Sequence, residues 1–168
     1  MGLKKCVFVL IIMLLLTGCS DRDTFETVSD VNAAPVLAVE NRLQVSLPDE
    51  AALASMEVDD GSKLYLCDGY IVTLQKLSSG DLDRTLRETT GFGRDGLMVM
   101  ETAQGDWKRY ECVWSAAGEG ETQVCRAAIL DDGCYHHIVT VMADYSSAGD
   151  LSNTWQHILD SASLVSTG

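Results

Sequence analysis

The feature that most constrains the fold is a series of four predicted strands in the second half of the chain, each bounded by turn-forming residues. The strands cover residues 96–101, 107–114, 121–130 and 135–143. Short connections join them, and the last connection contains Asp132-Gly133, a pair that favours a two-residue hairpin turn. Successive strands joined by hairpins run antiparallel, so this part of the chain predicts an antiparallel sheet.

Three more strands are predicted before this series. Residues 43–47 alternate between apolar and polar side chains and stop at Pro48, which is typical of a strand with one buried face. Residues 63–67 and 70–77 enclose Asp68-Gly69, which again favours a tight hairpin.

Two amphipathic segments predict helices over residues 81–90 and 150–162. In the second segment one stripe is apolar and Asp150 is the expected N-cap; the stripe comprises Leu151, Trp155, Ile158 and Leu159. The predicted fold class is therefore α+β, with an antiparallel sheet of about six or seven strands packed against two helices. A single domain over residues 42–168 accommodates all these elements.

The order of these elements, and the closing Trp155-Gln156-His157-Ile158-Leu159-Asp160-Ser161, is similar to the PsbP/Mog-type α/β sandwich. The resemblance spans residues 42–165 and implies a sandwich of sheet and helices. That fold occurs in photosystem subunits, in regulators of GTPases and in small bacterial lipoproteins. It therefore implies no particular chemistry, and no functional residue is carried over from it.

The first 19 residues predict an export signal. A basic start with Lys4 and Lys5 precedes an uncharged apolar run over residues 6–16, which is too short to span a bilayer. Leu16-Thr17-Gly18-Cys19 resembles the lipobox of bacterial lipoproteins. This resemblance implies cleavage of a signal peptide over residues 1–18 and acylation of Cys19. The alternative is an ordinary N-terminal membrane anchor that happens to contain this cysteine.

The lipoprotein interpretation places the protein at a bacterial membrane, outside the cytoplasm, with the bilayer as a partner through acylated Cys19. Residues 19–41 are acidic and lack periodicity, so a tether is expected there. The formal net charge of −13 argues against nucleic acid and against a basic patch that binds anionic lipid. Any membrane attachment must therefore be hydrophobic or covalent.

Four of the six cysteines fall in the predicted domain, and an even number in an exported domain favours two disulfides. If Asp132-Gly133 is a two-residue turn, Asp131 lies opposite Cys134, and Cys125 is then too far along its strand to bond Cys134. The preceding hairpin places Cys112 opposite Cys125, so elimination leaves Cys112–Cys125 and Cys67–Cys134. The alternative is four buried, reduced thiols.

No candidate site carries a recognisable chemistry. His136 and His137 point to opposite faces of a strand and lack further ligands, so no metal site and no cofactor are expected. Turn chemistry accounts for Asp59-Asp60-Gly61 and Asp131-Asp132-Gly133, which only resemble pieces of calcium loops. Four aromatic residues are predicted to be core or, alternatively, an exposed binding face: Trp107, Tyr110, Trp114 and Tyr135.

Three functions remain open. A membrane-anchored, non-catalytic binding or assembly module is favoured because catalytic motifs are absent. The alternatives are an accessory subunit of a membrane complex and a hydrolase without a recognisable motif. A small-ligand binder should have a concave pocket with polar groups, a subunit an exposed apolar patch, and a hydrolase clustered polar residues in a cleft.

Overall fold

The computed structural model describes residues 25–29, 40–54, 62–118 and 120–167. The predicted signal peptide, Cys19 and Asp59-Asp60-Gly61 lie outside these residues. Within the described ranges, none of the helices has the length and apolar character needed to cross a membrane.

The described chain contains ten strands, three α-helices and one 3₁₀ helix. The strands are β1 (Phe25–Ser29), β2 (Glu40–Pro48), β3 (Ala52–Leu53), β4 (Lys63–Cys67), β5 (Tyr70–Ser78), β6 (Val99–Gln104), β7 (Trp107–Ala117), β8 (Thr122–Asp131), β9 (Tyr135–Asp144) and β10 (Ser163–Thr167). The helices are α1 (Leu82–Thr90), the 3₁₀ turn Arg94–Gly96, α2 (Tyr145–Ala148) and α3 (Ser152–Ser161).

The strands form two antiparallel sheets, which confirms the predicted α+β class. The larger sheet has seven strands in the order β3-β4-β5-β9-β8-β7-β6, and the smaller has the order β1-β2-β10. Strand β1 lies inside the segment expected to be a tether and pairs with β2 from Phe25 to Ser29. Strand β6 begins at Val99, later than predicted, because Arg94–Gly96 form the 3₁₀ turn.

Local sequence signals explain the position of α1. The Asp81 side chain accepts a hydrogen bond from the backbone N–H of Asp83, which satisfies a donor in the first turn. Gly91 ends the helix with φ +80°, a conformation that favours glycine. By contrast, the expected cap of α3 is wrong: its N-cap is Leu151, not Asp150, and no side chain caps this end.

The seven-stranded sheet has a hydrophobic core on each face. On the β2 face, the sheet packs against β2 and α3; this core includes Leu43, Val45, Val72, Leu130, Val139, Trp155 and Ile158. On the α1 face, it packs against α1; this core includes Leu86, Tyr110, Cys112, Trp114, Ile129 and Ile138. Alternation along each strand separates the two sets. The core interpretation of Tyr110 and Trp114 is correct, since both are buried.

The loop between β8 and β9 is wider than predicted. Asp131 pairs with His136 rather than with Cys134, so four residues form the loop instead of two. The Asp132 carboxylate accepts hydrogen bonds from the backbone N–H groups of Cys134 and Tyr135, at 2.9 and 2.7 Å. These side-chain contacts stabilise the wider loop that Asp132-Gly133 alone does not predict.

The register of β7 and β8 also differs from the prediction and separates Cys112 from Cys125. Cys112 lies opposite Ala127, and Cys125 lies opposite Trp114. The two cysteines are therefore diagonal neighbours with Cβ atoms roughly 7 Å apart, too far for a disulfide. Both thiols are free, and burial raises the pKa of each to about 11. The predicted Cys112–Cys125 bond is wrong for this register.

The predicted Cys67–Cys134 bond is also wrong, because the two residues lie at opposite ends of β9. Cys67 pairs with Tyr70, and the adjacent Ile71 pairs with Met142 near the end of β9. Cys134 precedes the first residue of this 10-residue strand. At about 3.3 Å per residue, roughly 30 Å separate the two cysteines. Both are free thiols in the structure.

Candidate binding surface

The β2 face is uncovered where β6 and β7 form the edge of the large sheet. Met100 lies opposite Glu111, and Val113 is two residues further along β7, so both side chains point to this face. The exposed fractions of Met98, Met100 and Val113 are 84%, 59% and 55%. These three residues are called the edge patch. They surround a hollow of about 90 Å³ that Arg126 also lines.

A larger cleft adjoins the edge patch at the start of α3. Its volume is about 430 Å³, and it lies between β8 and the two last helices. Arg126 lines both the hollow and this cleft. We call the cleft the Arg126 cleft; it is lined by Val124, Arg126, Tyr145, Ser146, Ala148, Gly149, Ser152 and Trp155.

The lining of the Arg126 cleft contains one cationic residue and no acidic residue, although the net charge of the sequence is −13. The carboxylate of Glu121 lies next to the cleft, where it accepts a hydrogen bond from the backbone N–H of the lining residue Ser146 at 2.9 Å. Arg126 Nη2 donates a hydrogen bond to the neutral amide of Gln156 at 2.8 Å. Four other arginines each have a carboxylate partner within 4 Å: Arg84, Arg87, Arg94 and Arg109. Within the described residues no ion pair of Arg126 is present.

Two further features of the Arg126 cleft are polar. Trp155 is 1% exposed, and its buried indole N–H has no hydrogen-bond partner among the described residues. The first turn of α3, which begins at Ser152, has neither a side-chain cap nor an acidic residue. Because helix N-termini carry partial positive charge, Arg126 and this turn favour an acceptor group in the cleft.

At the opposite end of α3, backbone carbonyl groups accept hydrogen bonds from a buried arginine. The side chain of Arg109 is 5% exposed; its Nη2 donates to the carbonyl of Leu159 at 2.7 Å, and its Nη1 to the carbonyl of Ala162 at 3.4 Å. Glu111 Oε1 accepts a hydrogen bond from Arg109 Nε at 2.7 Å. This guanidinium therefore satisfies carbonyl groups at the helix C-terminus, where a cation is favourable.

His136 and His137 both lie in the interior, on opposite faces of the sheet. On the β2 face, His137 Nε2 is 3.2 Å from Asp132 Oδ2, which also accepts a hydrogen bond from Asn41. Burial raises the pKa of Asp132. Hydrogen bonds from Tyr135, Cys134, Asn41 and His137 outweigh burial and hold this pKa below its ordinary value.

His136 joins helix α1 to the sheet. Thr85 Oγ1 lies 2.6 Å from His136 Nδ1, and both residues are buried. Asp131 Oδ2 lies 3.6 Å from His136 Nε2, which is longer than a hydrogen bond. Asp131 Oδ1 accepts a hydrogen bond from Ser79. The contacts of His136 therefore connect α1 to the β8–β9 loop through polar groups inside the protein.

Sequence reasoning missed the edge patch and the Arg126 cleft. Met98, Met100 and Val113 carry no motif, and their exposure depends on where β2 and α3 end their coverage of the sheet. An uncapped start of α3 could have indicated the cleft, but Asp150 is a plausible cap residue in the sequence and led to the expectation of a capped helix. Within the described residues, no group of three or more His, Cys, Asp or Glu residues could hold a metal ion.

Comparison with known proteins identifies the fold. No protein-family profile and no curated protein matches the chain. A mutant of the protein Mog1 is 14% identical, with a TM-score of 0.53 over 86% of this chain and 97% of that one. A protein from Bacteroides thetaiotaomicron is 12% identical, with a TM-score of 0.51 over 75% of this chain but only 46% of its own length.

LpqN, involved in cell envelope biogenesis of Mycobacterium tuberculosis, is 10% identical, with a TM-score of 0.49 over 84% of this chain and 91% of its own. The fold assignment rests on the two higher-scoring structures. The chain therefore has a Mog-like α+β fold, as its element order predicted. At these identities the likeness shows the fold alone.

Proposed function

We propose that the protein is a non-catalytic binding module that recruits a protein partner through strand β6 and the edge patch. The observation that carries this proposal is the exposure of Met98, Met100 and Val113 beside an edge strand. Soluble domains usually blunt such edges with charges, proline or bulges, because an open edge pairs with another chain. Strand addition to β6 would supply backbone hydrogen bonds, and the edge patch would receive apolar side chains of the partner.

The second part of the proposal concerns location. Acylation of Cys19 and removal of residues 1–18 would anchor the domain at a bacterial membrane and outside the cytoplasm. The basic start, the short apolar run and the lipobox-like Leu16-Thr17-Gly18-Cys19 support this part. The partner would then be another component of the membrane or of its outer side, and the protein an accessory subunit that assembles with it.

Anchoring is tested by labelling cells with a clickable palmitate analogue. The full chain is expected to incorporate the label and to sediment with membranes, and the Cys19→Ser variant to do neither. Sedimentation of the variant with membranes to the same extent as the unsubstituted chain would contradict lipid anchoring and favour an uncleaved hydrophobic anchor.

Partner recruitment is tested by crosslinking and co-purification of the tagged, membrane-bound full chain. The Met100→Lys variant places a charge on the edge patch and is expected to reduce recovery of a stoichiometric partner about tenfold. Leu53→Lys is the matched control, since Leu53 is also 59% exposed but lies at the opposite edge of the same sheet. Equal recovery with both variants, or no stoichiometric partner, would overturn the proposal.

A further inference from the structure

We infer that the Arg126 cleft is a binding site for a monoanionic carboxylate carried on an apolar group. This site is separate from the partner-binding role of β6, and its ligand is assigned from three independent features of the cleft. They are the charge of Arg126, the partial positive charge at the start of α3, and the apolar side chains that complete the lining.

The charge of the cleft selects an anion of low valence. Arg126 is the single cationic residue among the eight that line the cleft, and its one hydrogen-bond partner in the described chain is the amide of Gln156. A guanidinium binds a carboxylate through two parallel N–H donors, so a carboxylate outcompetes a neutral amide as its acceptor. One cation balances one negative charge, so a carboxylate fits better than a phosphate dianion.

The start of α3 adds partial positive charge. Its first turn has neither a side-chain cap nor an acidic residue, and a helix N-terminus favours an anion. The N–H of Ser152 donates to the carbonyl of Gly149 at 3.3 Å, so this turn acts through the field of the helix end. The buried indole N–H of Trp155, which also lines the cleft, is unpaired among the described residues, although buried donors are paired in the great majority of native structures. A carboxylate between Arg126 and Ser152 would be stabilised from both sides.

The other lining residues specify the body of the ligand. Val124, Ala148 and the ring of Tyr145 present apolar surface, and Tyr145 is 69% exposed. A cleft of about 430 Å³ falls within the usual size of small-ligand sites. The cleft at the start of α1 is different, because it combines Asp81 and Glu88 with Lys76 and Arg84, which balance each other. Of these two clefts, the Arg126 cleft is the one whose lining combines a cation with apolar walls and contains no acidic residue.

The test uses saturation-transfer NMR on the full chain purified in detergent. Two carboxylate probes distinguish the sources of the ligand: hexanoate for a free aliphatic acid, and acetyl-Leu-Leu for a peptide C-terminus. The neutral controls are hexanamide and acetyl-Leu-Leu amide. At least one carboxylate is expected to bind more tightly than its amide, and the Arg126→Gln variant is expected to weaken that binding about tenfold or more. Arg84→Gln is the control, because Arg84 is exposed on α1.

A second variant keeps the charge of Arg126 but gives it an internal partner. Gln156→Glu places a carboxylate where the amide oxygen now accepts from Arg126 and is expected to weaken binding of the same probe. The inference is overturned if neither carboxylate binds, if the amides bind equally well, or if both Arg126→Gln and Gln156→Glu bind like the unsubstituted chain. None of these outcomes depends on partner recovery through β6, so the two proposals fail separately.

Discussion

The two ends of helix α3 are built in opposite ways. At the C-terminal end, Arg109 is buried, is paired with Glu111 and donates to the carbonyls of Leu159 and Ala162. At the N-terminal end, the first turn has no cap, and Arg126 has an amide rather than a carboxylate as its partner. Side chains of the protein complete one end of the helix, and the other end has no side-chain cap and no acidic residue in its first turn.

The difference separates polar groups that stabilise the fold from polar groups that bind. Asp132, Thr85 and His136 resemble Arg109, because their polar atoms meet partners inside the protein. Removal of such a partner leaves a buried group unpaired, which costs stability. Arg126 is half-buried and its partner is a neutral amide, so its replacement should change binding and leave stability almost unchanged.

The largest effect is expected for Arg109→Met. This change leaves Glu111 without its cation and the last carbonyls of α3 without their donor, so the free energy of unfolding should fall by about 3–5 kcal/mol. Urea denaturation followed by far-UV circular dichroism measures it. Arg84→Met, which removes an exposed arginine from α1, should change stability by no more than about 0.5 kcal/mol. Equal losses for both variants would remove the distinction between the two ends.

The next effect concerns Asp132 and depends on pH. Because hydrogen bonds lower the pKa of Asp132 in the folded protein, its stabilisation is complete above the ordinary pKa of 3.8 and is lost as the pH falls through the lower folded value. Asp132→Asn should cost about 2 kcal/mol at pH 7 and less in acid, where the native carboxyl is protonated. Thermal melts between pH 2.5 and 7 test this. The control is Asp150→Asn, an exposed position; a cost for Asp132→Asn that does not change with pH would contradict the prediction.

Much of the fold was predictable because its signals are local. Alternating side chains and turn residues indicated the hairpin of β4 and β5 and the strands β7, β8 and β9, and Asp81 and Gly91 mark the ends of α1. Strand β10 was missed, since its five residues pair with distant β2 rather than with a neighbour in sequence. The Cys112–Cys125 pairing was wrong because the register of β7 and β8 differs from the expected one by two residues, which leaves each side chain on the same face. The Cys67–Cys134 pairing was wrong because these cysteines lie at opposite ends of β9.

The candidate surface was less predictable than the fold, because its features depend on what covers the sheet. Met100 and Leu74 are both apolar strand residues, yet Leu74 lies under the core of the β2 face and Met100 is exposed beyond it. No periodicity distinguishes them. Likewise, Arg126 and Arg109 lie on neighbouring strands of the same face, and only the course of α3 decides which one is buried.

A smaller effect is expected for Thr85→Val, which keeps the shape of the side chain and removes its hydroxyl. His136 Nδ1 would lose its partner at 2.6 Å, so the free energy of unfolding should fall by about 1–2 kcal/mol. Thr89→Val is a matched control in the same helix, because the buried hydroxyl of Thr89 has no hydrogen-bond partner among the described residues. Chemical denaturation of both variants gives the comparison. A cost for Thr89→Val as large as that for Thr85→Val would assign the loss to helix packing rather than to the histidine contact.

The smallest effect on stability, and the sharpest test of the comparison, comes from completing the open end of α3. Ser152→Asp adds a negative charge to a first turn that lacks one, which should raise the free energy of unfolding by about 0.5 kcal/mol. The same carboxylate would lie in the lining of the Arg126 cleft and repel a bound carboxylate, so probe binding should fall while stability rises. Asn153→Asp adds the same charge to the same turn but lies outside that lining, so it should stabilise the helix and weaken binding less. If Ser152→Asp stabilises the protein and leaves probe binding unchanged, the uncapped start of α3 takes no part in binding and the carboxylate lies elsewhere. If the variant stabilises the protein and weakens probe binding, the ligand lies at the uncapped start of α3.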